Sequence, residues 1–456
     1  MPKLSHNDAP NHLDAFGQGE FIRQIAEVIK SCEAPKGIAI NGYWGSGKTS
    51  ALLQLHKKLT DVLPNETKKR PKEEITPVWF EAWRHQNEAL PIVALLHEVR
   101  TKLGAWNKFR NQAEKLSTIT LTGILGAFDE TLKAASGGVM SPSLSKIPDL
   151  ASQWEKDNYH NKLASQHLSQ LLEEAIDQAL GKDKDNPDRK LVIFIDDLDR
   201  CMPDTALKLL EGIKVYLNLR NCVVVFGMDQ RQIENSLRKA LNLKEGSNDG
   251  DHHAREYLEK ICQDIYHLPI PDKLQKSAYL YDLLKNLDLS GTTQQQKAHR
   301  DELKKILDNY DCLPANPRKI KALANRLATV LRKLPTLPVI APMTTPNVLI
   351  SKGLKAEYGL LTVPTITYTF HRSLNEQLAK NPTYISTLIE YAKSPTPALG
   401  NTPDPVYEPM RSLIPSFNGT ADLPVNPSDS HVFRLHRLLI DLGTITETEI
   451  KPFLNI

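Results

Sequence analysis

Eight consecutive residues, Gly42-Tyr43-Trp44-Gly45-Ser46-Gly47-Lys48-Thr49, hold the most specific chemistry in this chain. They fit G-x-x-x-x-G-K-[ST] at every fixed position. Glycines let the backbone curl until several N–H groups aim at one polyphosphate chain. Lys48 adds a positive charge within reach of the β- and γ-phosphates, and Thr49 offers a hydroxyl to Mg²⁺. The expected nucleotide-binding set is therefore Gly42, Tyr43, Trp44, Gly45, Ser46, Gly47, Lys48, Thr49 and Ser50. The competing reading is a chance glycine-rich turn, and the flanks argue against it. Residues 37–41 are a short apolar run suited to a buried strand, and residues 49–59 predict a helix whose N-terminus faces the anion.

Cleavage of a polyphosphate also needs a carboxylate at the metal. Leu191-Val192-Ile193-Phe194-Ile195-Asp196-Asp197 predicts a buried parallel strand with acids at its carboxyl end. Open α/β sheets bind ligands outside that end. Asp196 is expected to hold Mg²⁺ through water, together with Thr49, and Asp197 to orient or deprotonate the attacking water. Many P-loop ATPases use Glu at this second position; the shorter Asp predicts slow hydrolysis. A third strand is expected at residues 222–227. After it, Asp229 either contacts the γ-phosphate or the water, or caps a helix over residues 230–241. Arg318 follows Asn316-Pro317 at the start of a helix. It is either a lid arginine reaching the nucleotide or half of a surface salt bridge. Lys48, Asp196, Asp197, Asp229 and Arg318 form the catalytic set.

Five stretches make the chain similar to the KAP family of P-loop NTPases, a branch related to the STAND and AAA+ ATPases. They are the loop at residues 42–49, Phe80-Glu81-Ala82-Trp83, Asp196-Asp197-Leu198-Asp199-Arg200-Cys201, Arg255-Glu256-Tyr257-Leu258-Glu259-Lys260-Ile261 and Asn316-Pro317-Arg318-Lys319-Ile320. The resemblance implies an ATPase core with a helical lid. It also implies a role in bacterial conflict, such as defence against phage, or in organising membrane signalling, although family does not fix function. In the family the tryptophan at Trp83 is a hallmark; physically it reads as a large buried anchor first and a ligand contact second. Arg200, Arg231 and Arg255 are candidate arginine fingers, and Arg200 has Asp199 as an alternative partner. Lys260 lies where related ring ATPases place their finger, and Lys319 is a weaker substitute for Arg318. One departure matters. Typical members insert transmembrane helices between the loop and the acidic strand. Here residues 119–128 are followed by Asp129 and Glu130, far short of the roughly 20 apolar residues a span needs. A soluble variant with a buried or interfacial helix is expected.

Composition sets outer bounds. A net charge of +3 over 456 residues carries no global basic signature, and no aromatic–basic pattern supports a nucleic-acid motor. Lys68-Lys69-Arg70 reads as a solvated loop. Five cysteines without a C-x-x-C pair argue against zinc and against a disulfide framework. With a polar stretch from Met1 to Pro10 in place of a signal peptide, a reducing cytoplasm is the expected home.

The elements that must position these residues form an α/β fold, a P-loop NTPase parallel sheet flanked by helices. The core is expected in residues 1–100 and 191–272, a helical insertion in 101–190, a helical lid in 273–335, and a Pro-rich, mostly helical accessory region in 336–456. Leu13, Phe16, Phe21, Ile22 and Ile25 either cover the adenine or pack as an ordinary helix. Within the insertion, Leu168, Leu171, Leu172, Ala175, Ile176 and Ala179 make one apolar helix face, and residues 134–148 read as a loop. So do the polar residues 244–253. Lid helices are predicted over 274–289, 297–310 and 317–334. Further on, Pro364 and its many neighbours predict short helices. The function expected is a Mg²⁺-dependent ATPase that switches or oligomerises to control a protein effector encoded nearby. A nucleotide-binding scaffold with little turnover and a nucleic-acid-stimulated motor are the alternatives. The chain lacks an N-K-x-D segment that would favour guanine.

Overall fold

A computed structural model describes residues 3–64, 75–88, 91–103, 189–214, 219–243, 248–333, 348–370, 372–393 and 432–454. The predicted insertion helix, its loop and the apolar run at 119–128 lie outside the described residues, as does the basic loop at 68–70.

The centre is a five-stranded sheet built from β1 (Lys36–Asn41), β2 (Ile75–Glu81), β3 (Lys190–Asp196), β4 (Cys222–Met228) and β5 (Asp264–His267). The order is β2-β3-β4-β1-β5, and every pairing is parallel. Strands buried on both faces read as near-continuous apolar runs; β3 and β4 are buried from end to end, with the charges of β3, Lys190 and Asp196, at its two ends. Pro77 cannot donate to a ladder, and it sits in β2, the edge strand, where that costs least. Alternation sorts the side chains. Val192, Phe194, Val223 and Val225 pack with Ile22, Ile25, Leu52 and Leu55, from α1 (Gly19–Ser31) and α2 (Lys48–Thr60). Leu191, Ile193, Ile195, Val224 and Phe226 pack against α3 (Pro91–Leu103), α4 (Pro203–Ile213), α5 (Gln230–Ala240) and α6 (Asn248–Glu259).

The region expected to form a lid comprises α7 (Lys273–Lys285), α8 (Thr293–Asn309) and α9 (Pro317–Lys333). Asp272 with Gln275 and Thr292 with Gln295 form capping boxes that start α7 and α8. Then come α10 (Val348–Ser351), α11 (Ala356–Phe370), α12 (Arg372–Lys380), α13 (Tyr384–Lys393), α14 (Val432–Leu442) and α15 (Glu447–Leu454). Buried residues of the lid and of these later helices, among them Leu280, Leu323, Leu360 and Leu438, belong to one continuous hydrophobic cluster.

Three expectations fail here. Residues 248–253 are the first half of α6, not a loop. Gly250, Ala254 and Leu258 recur every fourth residue on its buried side, so packing carries the helix back into polar sequence. Pro364 lies inside the 15-residue α11 instead of ending it. Its missing N–H falls within a helix whose neighbouring carbonyls accept from Thr side chains, Leu361 O from Thr365 Oγ1 and Pro364 O from Thr367 Oγ1. Trp83 is no buried anchor, being 47% exposed. The chain turns out of β2 into a 3-10 turn (Ala82–His85), and Ala82 takes the buried place.

Candidate nucleotide site

β1 delivers the chain to the glycine loop, and the loop feeds α2. Gly45 and Gly47 have φ of +79° and +102°, the left-handed region that side chains resist. The Ser46 amide donates to Tyr43 O (3.0 Å) and closes the curl. A Cβ at Gly42 would stand 2.5 Å from Ser46 Oγ, so the loop is too tight for one.

Lys48 folds back over this loop. Its ammonium donates to Gly42 O (3.0 Å) and Tyr43 O (3.4 Å) and lies 3.1 Å from Asp199 Oδ2. The pair is nearly dry, with side-chain exposures of 9% and 2%. Asp196 ends β3 beside the Thr49 hydroxyl, to which it is hydrogen-bonded, and its carboxyl is pushed up to about 7. Burial is the largest cause, and the Asp197 charge adds to it, against the Thr49 hydrogen bond. Gly227 makes room for Asp196: a Cβ there would lie 2.5 Å from Leu52 Cδ1 and 3.2 Å from Asp196 Oδ1.

Asp197 takes left-handed φ and ψ of 57° and 28° at the head of a 3-10 turn (Leu198–Arg200), a conformation Asp tolerates. The turn brings Arg200 Nε to 2.8 Å from Asp197 Oδ1. Arg200 therefore pairs with Asp197 and not with Asp199, the alternative partner, because the three-residue offset of the turn faces them and Lys48 claims Asp199. Burial raises the Asp197 carboxyl above its usual range.

A cavity of about 410 Å³ opens over these groups. Gly45 to Ser50 with Trp44, the acids Asp196, Asp197 and Asp199, and Glu81 at the end of β2 line one side. The N-terminal segment, including Asp8, Leu13 and Phe16, and the lid residues Tyr279, Pro317, Arg318 and Lys321 line the other. Leu13 and Phe16 thus reach the cavity, whereas Ile22 and Ile25 belong to the core of α1.

Arg318 is on this wall, with Nε 2.7 Å from Asp8 Oδ2 and its guanidinium 5.1 Å from the Trp44 ring. Arg200 lies 4.7 Å from the same ring. Asp229 is buried at the end of β4, outside the cavity lining, and its carboxyl is raised by burial, against the attraction of Lys48. It occupies the position before α5, yet the first helical amide, Gln230 N, donates to Asn41 Oδ1 (2.9 Å). Arg231 lies over Tyr43 at 5.2 Å. Arg255 sits beside Glu234, 3.8 Å away, and neither it nor Lys260 lines the cavity. The Lys319 backbone amide donates to Asn316 Oδ1.

Asn316 is a residue that motif reading passed over. It is 3% exposed. Its Nδ2 donates to Trp44 O (2.8 Å), while its Oδ1 accepts from the Arg318 and Lys319 amides at 3.1 and 3.2 Å. One side chain caps α9 and holds the glycine loop. A Cβ at Gly45 would come within 2.6 Å of it. In sequence it showed only as an Asn before a Pro at a helix start, within one of the five family-like stretches. Asp199 was equally legible only as part of an acidic stretch.

The arrangement fits a polyphosphate with Mg²⁺. One oxygen each of Asp196 and Asp199, and the Ser46 hydroxyl, are buried without a hydrogen-bond partner among the described residues, although all three residues line the cavity. Buried polar atoms of this kind call for a ligand.

A parallel sheet in this order, with a glycine loop after β1 and an acid after β3, is the fold of a P-loop NTPase. Residues 19–334 match the KAP family P-loop domain, and the chain belongs to that family. It is also similar to the Phage T7 exclusion protein of Escherichia coli (strain K12), 23% identical over 347 residues. That alignment covers 69% of this chain and 41% of the relative, so the chain spans less than half of that curated relative's length. Among the described residues no helix is long and apolar enough to cross a membrane.

Proposed function

We propose that this cavity takes ATP with Mg²⁺ and that the β–γ phosphate bond is cleaved there slowly, so that the lid reports which nucleotide is bound. The convergence of Lys48, Thr49 and Asp196 in one cavity carries this reading. Lys48 would exchange Asp199 for the β- and γ-phosphates. Thr49 and Asp196 would hold the metal, which when bound offsets charge on the phosphates. Arg318, on the cavity wall, would respond to the γ-phosphate from the lid, and Asp229, behind the lining, would act only through the charge of Lys48. Asn316 links the loop to α9, so a loop displaced by ligand pulls on the lid. By analogy with the phage exclusion relative, the switch acts in anti-phage defence, on a protein effector and through self-association. A second reading, binding with little turnover, is favoured by the engagement of Asp197 with Arg200.

Calorimetry with Mg²⁺–ATP on the full chain and on Lys48→Ala tests the binding, and phosphate release tests turnover. Micromolar binding lost in the variant is the expected result; a wild-type protein that takes up no nucleotide, or an unaffected Lys48→Ala, ends this reading.

A further inference from the structure

Glu81 ends β2 in direct register with Asp196, the two being Cα partners on neighbouring parallel strands. Partners in register project from the same face of a sheet. Phe194 and Trp79 mark that face as the one packed against α2, below the phosphate loop. Glu81 also lines the cavity, and its charge helps raise the Asp197 carboxyl. Two acids thus flank Asp196: Asp197, next in the chain, and Glu81, next across the sheet. They differ in freedom. Asp197 is held in a left-handed turn and paired with Arg200, whose guanidinium is in turn over Trp44. Among the described residues Glu81 has an ion pair only with Arg84, whose side chain is 69% exposed, and an exposed pair of this sort contributes at most about 1 kcal/mol. Glu81 is also one methylene longer.

Resting on the ATPase reading above, we infer that Glu81 is the group that takes the proton from the attacking water, while Asp197 orients that water and holds Arg200. The water oxygen bonds to the γ-phosphorus as its proton passes to the Glu81 carboxylate. The bond from the γ-phosphorus to the β–γ bridging oxygen breaks, and its electron pair leaves with ADP. Glu81 then returns the proton to solvent. This division of labour explains how an enzyme with Asp at the second acidic position still has a carboxylate of sufficient reach.

The test compares wild type, Glu81→Gln, Glu81→Asp and Asp197→Asn in the full chain, reading ATP affinity by calorimetry and phosphate release in single turnover. Glu81→Gln is expected to bind ATP within about threefold of wild type and to release phosphate on the order of a hundredfold more slowly, the usual loss for a general base. Glu81→Asp should retain part of the rate, since it keeps a carboxylate. Unchanged turnover in Glu81→Gln, or a loss in Asp197→Asn that exceeds it while binding persists, overturns the assignment but leaves the ATPase reading intact. A wild-type chain that binds or hydrolyses no ATP overturns both. Retained ATP affinity in each variant shows that the fold has survived.

Discussion

Lys48 and Asp199 form a nearly dry ion pair at 3.1 Å inside the nucleotide cavity. The lysine meant for phosphate is thus held by a carboxylate that the motif pattern does not contain. Removing one partner of a buried pair leaves the other uncompensated, which costs about 3–5 kcal/mol. Asp199→Asn is therefore expected to lower the melting temperature of the nucleotide-free protein, and Mg²⁺–ATP to restore more stability to it than to wild type. Its ATP affinity should rise several-fold, because phosphate no longer displaces a competitor. Scanning calorimetry with and without nucleotide reads both effects; an equal shift in the two proteins contradicts the competition.

Asn316 joins the loop to the lid by three hydrogen bonds. Asn316→Ala loses the α9 cap, typically about 1 kcal/mol, and frees Trp44 O. The expected outcome is a stability loss of about 1–2 kcal/mol, in keeping with those bonds, and weaker nucleotide dependence of lid protection in hydrogen exchange. Lid protection that still follows nucleotide as in wild type would show that the coupling runs elsewhere.

Gly227 gives Asp196 and Leu52 their room. Gly227→Ala overpacks this junction, and such insertions cost about 1–3 kcal/mol. Metal-dependent nucleotide binding should weaken more than metal-free binding, since the crowding falls on the metal carboxylate. Titrations with and without Mg²⁺ distinguish this from general destabilisation.

His299 on α8 shares a 2.7 Å hydrogen bond with the Tyr358 hydroxyl on α11. Burial, reinforced by the charge of Lys355, holds its imidazole below the usual range. The unfolded chain then binds the proton more readily, so this site's contribution is present above pH ~6.5 and fades as the pH falls through the lowered folded value. The half-exposed setting limits the effect to under about 1 kcal/mol. Chemical denaturation between pH 7.5 and 5 should show a slope that His299→Gln flattens; identical slopes would discharge the idea.

Much of the site is legible along the chain because its pieces are local. Gly42 to Thr49 encode a turn, a charge and a hydroxyl within eight residues, and the apolar run before Asp196 places an acid at a strand end without reference to anything distant. The helices expected over 274–289, 297–310 and 317–334 are found at Lys273–Lys285, Thr293–Asn309 and Pro317–Lys333. β5 is not legible in the sequence because four residues, Asp264–His267, three partly buried and the last exposed, carry too little pattern.

Tertiary structure alone decided the partners. Trp44 and Asn316 are 272 residues apart, Asp8 meets Arg318 across the cavity, and Glu81 stands beside Asp196 only because β2 pairs with β3. Short-range sequence specifies backbone shape and residue chemistry, for these depend on neighbours within a turn or a strand. Which acid a given cation faces depends on how helices and strands pack, and that is settled by burial summed over the whole core.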